Sequence, residues 1–305
     1  MAPHAPSGTP QQVTFIGIGA IGLPMATAVS AGGFEVTGVD FSAEQRAAAE
    51  QQGLQAAADA GSAAEADAVI VMVATGDQLR AAVLGSGEGG AGDRGTGLLA
   101  MMRPGAALIV MSTVGPDAVQ ELVAPAAERG VHLVDAPVTG GIARAASGDL
   151  RLFVSGDPAA VESQRALLES MGTVVDCGAE VSRGQSFKAV NQLLCAVHIV
   201  AGAEALALGE KLGLEPAQVL DAVSGGAAGS FMLSDRGPRM LDGLDAQVAS
   251  AVSIFVKDSG LVSEIAESTG MELPLLEAAK KKYAEAADAG WAGRDDSQVI
   301  QTYRS

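Results

Sequence analysis

VTFIGIGAIGLPMATAVSA, residues 13–31, sets a short apolar run against a glycine-rich turn and then a stretch that reads as helix. The turn GIGAIG places Gly17, Gly19 and Gly22 around Ile18, Ala20 and Ile21. Each glycine meets a separate need where a strand hands over to a helix beside a dinucleotide. The first permits a tight turn, the second lets backbone approach a pyrophosphate, and the third lets helix pack on strand. The helix N-terminus adds unpaired N–H groups and a partial positive charge. In a chain with 39 glycines this spacing also fits a plain packing turn. Asp40 favours the dinucleotide, because it ends the next apolar run, GFEVTGVD. A carboxylate there accepts hydrogen bonds from the adenine ribose hydroxyls and repels a 2′-phosphate, so NAD is expected in preference to NADP.

Outward from this unit the pattern repeats. The runs AVIVMV (68–73), AALIVM (106–111), VHLVDA (131–136), RLFVSG (151–156) and TVVD (173–176) are strand-like, with helical stretches over 20–32, 42–52 and 76–84. Such alternation predicts an α/β fold whose mainly parallel sheet is covered on both faces. After Gly184 helical periodicity takes over, and 185–212, without proline, predicts one helix of about 28 residues, some 42 Å long. The expected architecture is a tail over 1–12, a doubly wound Rossmann domain over 13–182 and an all-α domain over 183–305, joined by that long interdomain helix. GSGEGGAGDRGTG, 85–97, is too poor in apolar surface to fix a fold and is expected to be a surface loop.

The 305 residues are 48% hydrophobic and carry a formal charge of −17. That field disfavours nucleic acid and anionic membrane surfaces as partners. Cys177 and Cys195 have no metal or disulfide-framework spacing, which fits a reducing compartment. The start MAPHAPSGTPQQ has no basic and apolar signal pattern. The charge-free run 189–203 falls short of the roughly 18 to 20 residues a membrane span needs. Cytoplasmic residence, no membrane and no metal are therefore expected.

Two further stretches carry chemistry. DAPVTGG, 135–141, follows the strand-like VHLV, at the kind of strand end where open α/β sheets gather ligands. Thr139, Gly140 and Gly141 there offer a hydroxyl and two backbone N–H groups to a carboxylate, although turn chemistry alone explains such residues too. GQSFKAVNQ opens the long helix, and helical spacing puts Lys188 on one face with Asn191, Gln192 and Cys195. Most lysines are solvated surface groups. This one lies in an otherwise uncharged stretch, where burial would lower its pKa toward the range useful for acid/base work.

These motifs, in their order along the chain, resemble the β-hydroxyacid dehydrogenase family that includes 3-hydroxyisobutyrate dehydrogenase and tartronate semialdehyde reductase. The resemblance runs from Val13 to about Tyr303, through FIGIGAIGLPMA, STVGP (112–116), DAPVTGGIARAASGDL, GQSFKAVNQ and IFVKDSGLV (254–262). The second half is most similar to the L-threonate dehydrogenase subgroup, through NQLLCAVHIVAGAEALALG, GAAGSFML, RGPRML and RDDSQVI. It implies a catalytic role for Lys188 and substrate contacts at Thr139, Gly140, Gly141, Asn191 and Gln192. It implies cofactor contacts at Val73, Ala74, Gln78, Thr113 and Lys257. Three departures from the family pattern stand out: the dipeptide Val73-Ala74 where many members have Leu-Pro, Gln78 where some have Asn, and Gln192 where many have a second Asn.

The expected function is oxidation of a small anionic hydroxy acid, a four-carbon sugar acid such as L-threonate being favoured, by a homodimer or homotetramer. Neutral Lys188 would take the hydroxyl proton while NAD takes the hydride. A 3-hydroxyisobutyrate dehydrogenase or a semialdehyde or imine reductase on the same scaffold competes with this reading, as does a non-catalytic dinucleotide-binding sensor. Imine-reducing relatives generally lack the lysine, and a sensor need not keep Lys188 and its amide neighbours.

Overall fold

The computed structural model describes residues 11–85 and 97–304. Most of the tail expected over 1–12 and of the loop expected over 85–97 lies outside the described residues. Two compact units divide the chain, 1–188 and 189–305.

The first unit holds a nine-stranded sheet. Its strands are β1 (Gln12–Ile16), β2 (Glu35–Val39), β3 (Gln55–Ala57), β4 (Ala68–Val71), β5 (Ala107–Val110), β6 (His132–Asp135), β7 (Val138–Thr139), β8 (Leu150–Gly156) and β9 (Gly172–Asp176). The order is β3-β2-β1-β4-β5-β6-β8-β7, with β9 also paired to β8. The strands from β3 to β6 in that order are parallel. β8 runs antiparallel to β6 and β7, and β9 runs parallel to β8. The order reverses at β1, between β2 and β4, which makes its carboxyl end a topological switch point.

β4 and β5 are buried along their whole length. Alternate residues feed opposite cores: Ala68, Ile70, Ala107 and Ile109 join Val13 and Phe15 on one face. Val69, Val71, Leu108 and Val110 pack on the other. Burial on both faces is why these strands read as unbroken apolar runs. β3 and β7 escaped the sequence reading because three and two residues are too few to show a period.

The helices of this unit are α1 (Gly22–Ala31), α2 (Ala43–Gln51), α3 (Gly76–Leu84), α4 (Leu98–Met101), α5 (Pro116–Gln120), α6 (Val123–Glu128), α7 (Gly141–Ala146), α8 (Pro158–Ser163) and α9 (Arg165–Glu169). The helix α10 (Arg183–Lys211) follows, 29 residues long, and the boundary between the units falls inside it. By length and composition α10 could cross a membrane, with a mean hydropathy of 1.6 over its best window. The charge-free run 189–203 falls short of that length, and any longer window on α10 takes in Lys188 or Glu204. Half of the window is buried, and Ala196, Ile199, Val200, Ala203 and Leu206 of α10 lie in the core of the second unit, the place of a core helix.

The second unit continues with α11 (Pro216–Ser224), α12 (Phe231–Leu241), α13 (Val252–Thr269), α14 (Pro274–Ala286) and α15 (Gln301–Arg304). Proline at the first turn of α11 and α14 suits positions whose N–H has no helical partner. Phe255 and Tyr283 stack with ring centroids 5.1 Å apart, and the fully buried Tyr283 hydroxyl donates to the Ala196 carbonyl at 3.2 Å. Arg236 holds Asp296 with two hydrogen bonds of 3.1 and 3.0 Å, tying the buried segment 295–300 to α12.

Candidate active site

The glycine turn at the end of β1 has the shape its spacing predicts. Gly17 has φ +89°, and a Cβ there would stand 2.2 Å from the Met72 carbonyl oxygen. A Cβ on Gly22 would stand 1.9 Å from the Gly17 carbonyl oxygen, so the start of α1 packs directly on the turn. At Gly19 a Cβ would meet nothing within 4 Å. The second glycine thus borders open space into which backbone alone projects. α1 begins with no side-chain cap and no acid in its first turn, so its first turn supplies no negative charge of its own to the helix N-terminus. These features fit a pyrophosphate.

Asp40 follows β2 directly. Its Oδ2 accepts from the Ile18 N–H at 3.2 Å and its Oδ1 from the Ser42 N–H at 2.9 Å. The carboxylate is therefore fixed against the glycine turn, and each oxygen retains a second lone pair for a ribose hydroxyl. Arg46 donates to the carbonyls of Asp40 and Phe41 at 2.8 and 2.9 Å, bringing a guanidinium to the turn that follows β2.

After β4, the Val73 N–H donates to Ser112 Oγ at 2.7 Å, so the carboxyl ends of β4 and β5 are tied together. Gln78 Oε1 accepts from the Ala74 and Thr75 N–H groups at 2.9 and 3.3 Å, and Thr75 Oγ1 accepts from the Gln78 N–H at 3.2 Å. Gln78 thus closes a capping box at the start of α3. Thr113 directly follows Ser112.

DAPVTGG is more ordered than a loop. Thr139 ends β7 opposite Arg151, and Gly140 (φ +140°) and Gly141 (φ +74°) turn the chain into α7. Only glycine adopts such angles in succession readily, which orients the peptide N–H groups at this strand end.

Beneath these segments lies a buried polar network built on two residues that the sequence reading quoted within motifs but left without a role. Asp135, the fully buried last residue of β6, accepts from the Gln185 N–H (2.9 Å), Gln185 Nε2 (2.8 Å) and Ser155 Oγ (3.2 Å). Gln185 Nε2 also donates to the Ser112 carbonyl at 3.0 Å. Gln185 Oε1 accepts from the Val114 and Gly115 N–H groups at 3.0 and 3.1 Å. Ser155 Oγ in turn accepts from the Gly184 N–H at 3.0 Å. Burial pushes the Asp135 carboxyl up to about 6, against the lowering by its hydrogen bonds. An acid at a strand's carboxyl end and an amide opening a helix were the available signals.

Lys188 lies one turn beyond Gln185 on α10 and is only 6% exposed. No aspartate or glutamate occurs between Glu180 and Glu204. Lys188, Asn191, Gln192 and Cys195 occupy one face of α10, as their spacing requires.

In the second unit Asn191 Nδ2 donates to Gln192 Oε1 at 2.9 Å and to Cys195 Sγ at 3.4 Å. Gln192 Nε2 donates to Asp258 Oδ2 at 2.5 Å, and Lys257 Nζ stands 2.9 Å from Asp258 Oδ1. Asp258 is 3% exposed, so the Lys257–Asp258 pair is not a solvated helix face. Among the described residues no cluster of three or more His, Cys, Asp or Glu is placed to hold a metal ion.

Residues 12–179 match the family described as the NAD-binding domain of 6-phosphogluconate dehydrogenase. Residues 182–303 match the one described as the NAD-binding domain of NADP-dependent 3-hydroxyisobutyrate dehydrogenase. The chain is 36% identical to L-threonate dehydrogenase of Cupriavidus necator over 296 residues, 96% of each chain. It is 33% identical to L-threonate dehydrogenase of Escherichia coli, over 97% of this chain and 96% of that one. A crystal structure of 3-hydroxyisobutyrate dehydrogenase from Salmonella typhimurium superimposes with a TM-score of 0.86 at 32% identity, covering 96% of this chain and 99% of that one.

Proposed function

The chain belongs to the 3-hydroxyisobutyrate dehydrogenase family of NAD-dependent oxidoreductases acting on CH–OH groups, and on that premise we propose that it oxidises a four-carbon sugar acid such as L-threonate, with Lys188 transferring the proton. The observation that carries the proton-transfer role is a lysine 6% exposed on a helix stretch without acids, one turn from two side-chain amides.

In its neutral form the Lys188 amine takes the proton of the substrate hydroxyl, and in the reverse direction the ammonium returns it to the carbonyl oxygen. Bound NAD supplies the hydride acceptor. The Thr139 hydroxyl and the N–H groups of Gly140 and Gly141 hold the substrate carboxylate, and Asn191 or Gln192 orients the carbinol carbon. Gly17, Ile18, Gly19, Ala20, Ile21 and Gly22 cradle the dinucleotide phosphates and Asp40 holds the adenine ribose. Val73, Ala74, Gln78, Thr113 and Lys257 complete the cofactor contacts. A rigid floor under Val73 and Thr113, made by Ser112 and Gln185, supports these roles.

The substrate reading draws on the full-length similarity to proteins named L-threonate dehydrogenase. We place the protein in the cytoplasm as a homodimer or homotetramer. In support, Phe187, Val190 and Leu194 form an exposed apolar stripe on α10, 43%, 62% and 50% exposed.

The test is a spectrophotometric assay of reduced cofactor with NAD or NADP against L-threonate, D-threonate, D-erythronate, D-glycerate, 3-hydroxyisobutyrate and 3-hydroxypropionate. NAD-linked turnover of a threonate or erythronate above the three-carbon and branched acids is expected. Preference for 3-hydroxyisobutyrate or glycerate rejects the sugar-acid assignment.

A further inference from the structure

We propose that Asp135 and Gln185 form a positioning device that sets Lys188 against the segments carrying Thr113 and Thr139. The inference rests on the role proposed for Lys188 and extends it to residues that touch neither substrate nor cofactor.

The case begins with how many strand ends one side chain reaches. The Gln185 amide uses its nitrogen on Asp135 of β6 and on the Ser112 carbonyl after β5, and its oxygen on the N–H groups of Val114 and Gly115. Thr113 is therefore clamped on both sides by the same amide. Asp135 accepts the Gln185 backbone N–H as well, so the first turn of α10 is bound to β6 through both main chain and side chain. Ser155 of β8 extends the grip by donating to Asp135 and accepting from the Gly184 N–H.

Each of these bonds is made in a dry setting: Asp135 and Ser112 are fully buried, and Gln185 and Ser155 are 1% exposed. Unmade hydrogen bonds are costly there, so the network has one low-energy arrangement. From Gln185, one helical turn leads to Lys188. From Asp135, four residues lead to Thr139. Rotation or translation of the first turn of α10 relative to β6 would break several bonds at once. The proton-transfer amine and the carboxylate-binding turn are thereby held in register. A misplacement of about 1 Å at a reacting group costs about 100-fold in rate, which gives such a device its value.

Of the ionisable groups around Asp135, Cys177 is charge-coupled to it; burial first, then the Asp135 and Asp176 charges, push its thiol up to about 11. Arg183 holds the Cys177 carbonyl at 2.8 Å, and Lys188 follows along α10. None of these accepts a hydrogen bond from the Gln185 amide among the contacts of the network, so that amide can be tested by a change of one atom.

Gln185→Glu replaces the donating nitrogen with oxygen. The new carboxyl bridges to Asp135 only while the pair shares a proton, and repels it once both are ionised. Two readouts are taken from about pH 6 to about pH 9. One is kcat relative to wild type with the best acid of the panel. The other is the pH profile of Lys188 labelling by fluorodinitrobenzene in substrate-free protein, read by peptide mass spectrometry. The expected result is a kcat ratio that falls about 10- to 100-fold with rising pH and a Lys188 labelling profile displaced from wild type. A flat ratio, whatever its level, or an unchanged labelling profile overturns the proposal. Gln185→Asn, one methylene shorter, serves where the glutamate variant does not fold; it is expected to displace the same labelling profile, and an unchanged one overturns the proposal. Failure of Lys188 to act in proton transfer is seen separately, as turnover by Lys188→Ala.

Discussion

Gln192 donates its amide to Asp258 across 2.5 Å, while accepting the Asn191 amide at 2.9 Å, so the glutamine is gripped from both ends. The extra methylene of glutamine over asparagine is what spans the gap to α13. Gln192→Asn is expected to lose the Asp258 bond, leave that buried carboxylate short of a donor and cost about 1–3 kcal/mol of stability. The same variant should raise KM for the best acid more than it lowers kcat. Chemical denaturation and steady-state kinetics check this; unchanged stability would show that Asp258 does not depend on Gln192.

The three glycines of the first turn separate packing from binding. Gly22→Ala places a Cβ 1.9 Å from the Gly17 carbonyl oxygen and should destabilise the fold by about 1–3 kcal/mol through overpacking. Gly19→Ala enters open space, so stability should hold while cofactor affinity falls about tenfold, the equivalent of about 1.4 kcal/mol. Thermal unfolding beside cofactor fluorescence titration distinguishes them. Equal losses of stability in the two variants would contradict the assignment of Gly19 to the pyrophosphate.

Asp40→Ala removes the ribose acceptor and the charge that repels a 2′-phosphate, and leaves Arg46 at the turn that follows β2. The ratio of kcat/KM for NAD over NADP should fall by about tenfold or more, since a charge-assisted hydrogen bond contributes about 1.5–3 kcal/mol. An unaltered ratio would show that Asp40 does not read the ribose.

Asp135 gives a pH dependence with a definite sign. Its carboxyl is raised from 3.8 to about 6 by burial, so the folded protein holds that proton more tightly than the unfolded chain does. The associated stability is complete below the unfolded value and is lost as pH rises through the window from 3.8 to about 6. A shift of that size corresponds to about 3 kcal/mol. In Asp135→Asn the window disappears, so wild type should lose up to about 3 kcal/mol relative to the variant between about pH 4 and about pH 7. Denaturant melts across that range check it; a constant difference would mean that Asp135 is not destabilised by burial.

Much of this was legible before any coordinates. β4 and β5 stood out because burial on both faces makes a run continuously apolar, and α10 because 29 residues pass without proline. β3 and β7 were too short to show a period. Gln185 and Asp135 were quoted within motifs, yet their partnership spans 50 positions and rests on the pairing of β8 with both β6 and β9, which returns the chain toward Asp135 before α10 begins. Asp258 was hidden for a related reason: beside Lys257 it reads as a surface pair, and only the packing of α13 turns its carboxylate inward.

The most direct test of the central claim compares wild type with Lys188→Ala in two measurements on the same samples, NAD-linked turnover of the best acid and NAD affinity by fluorescence titration. The account predicts turnover reduced by about 100-fold or more, in line with the loss of a general acid/base, with NAD affinity within about twofold of wild type. Near-normal turnover in the variant would contradict it.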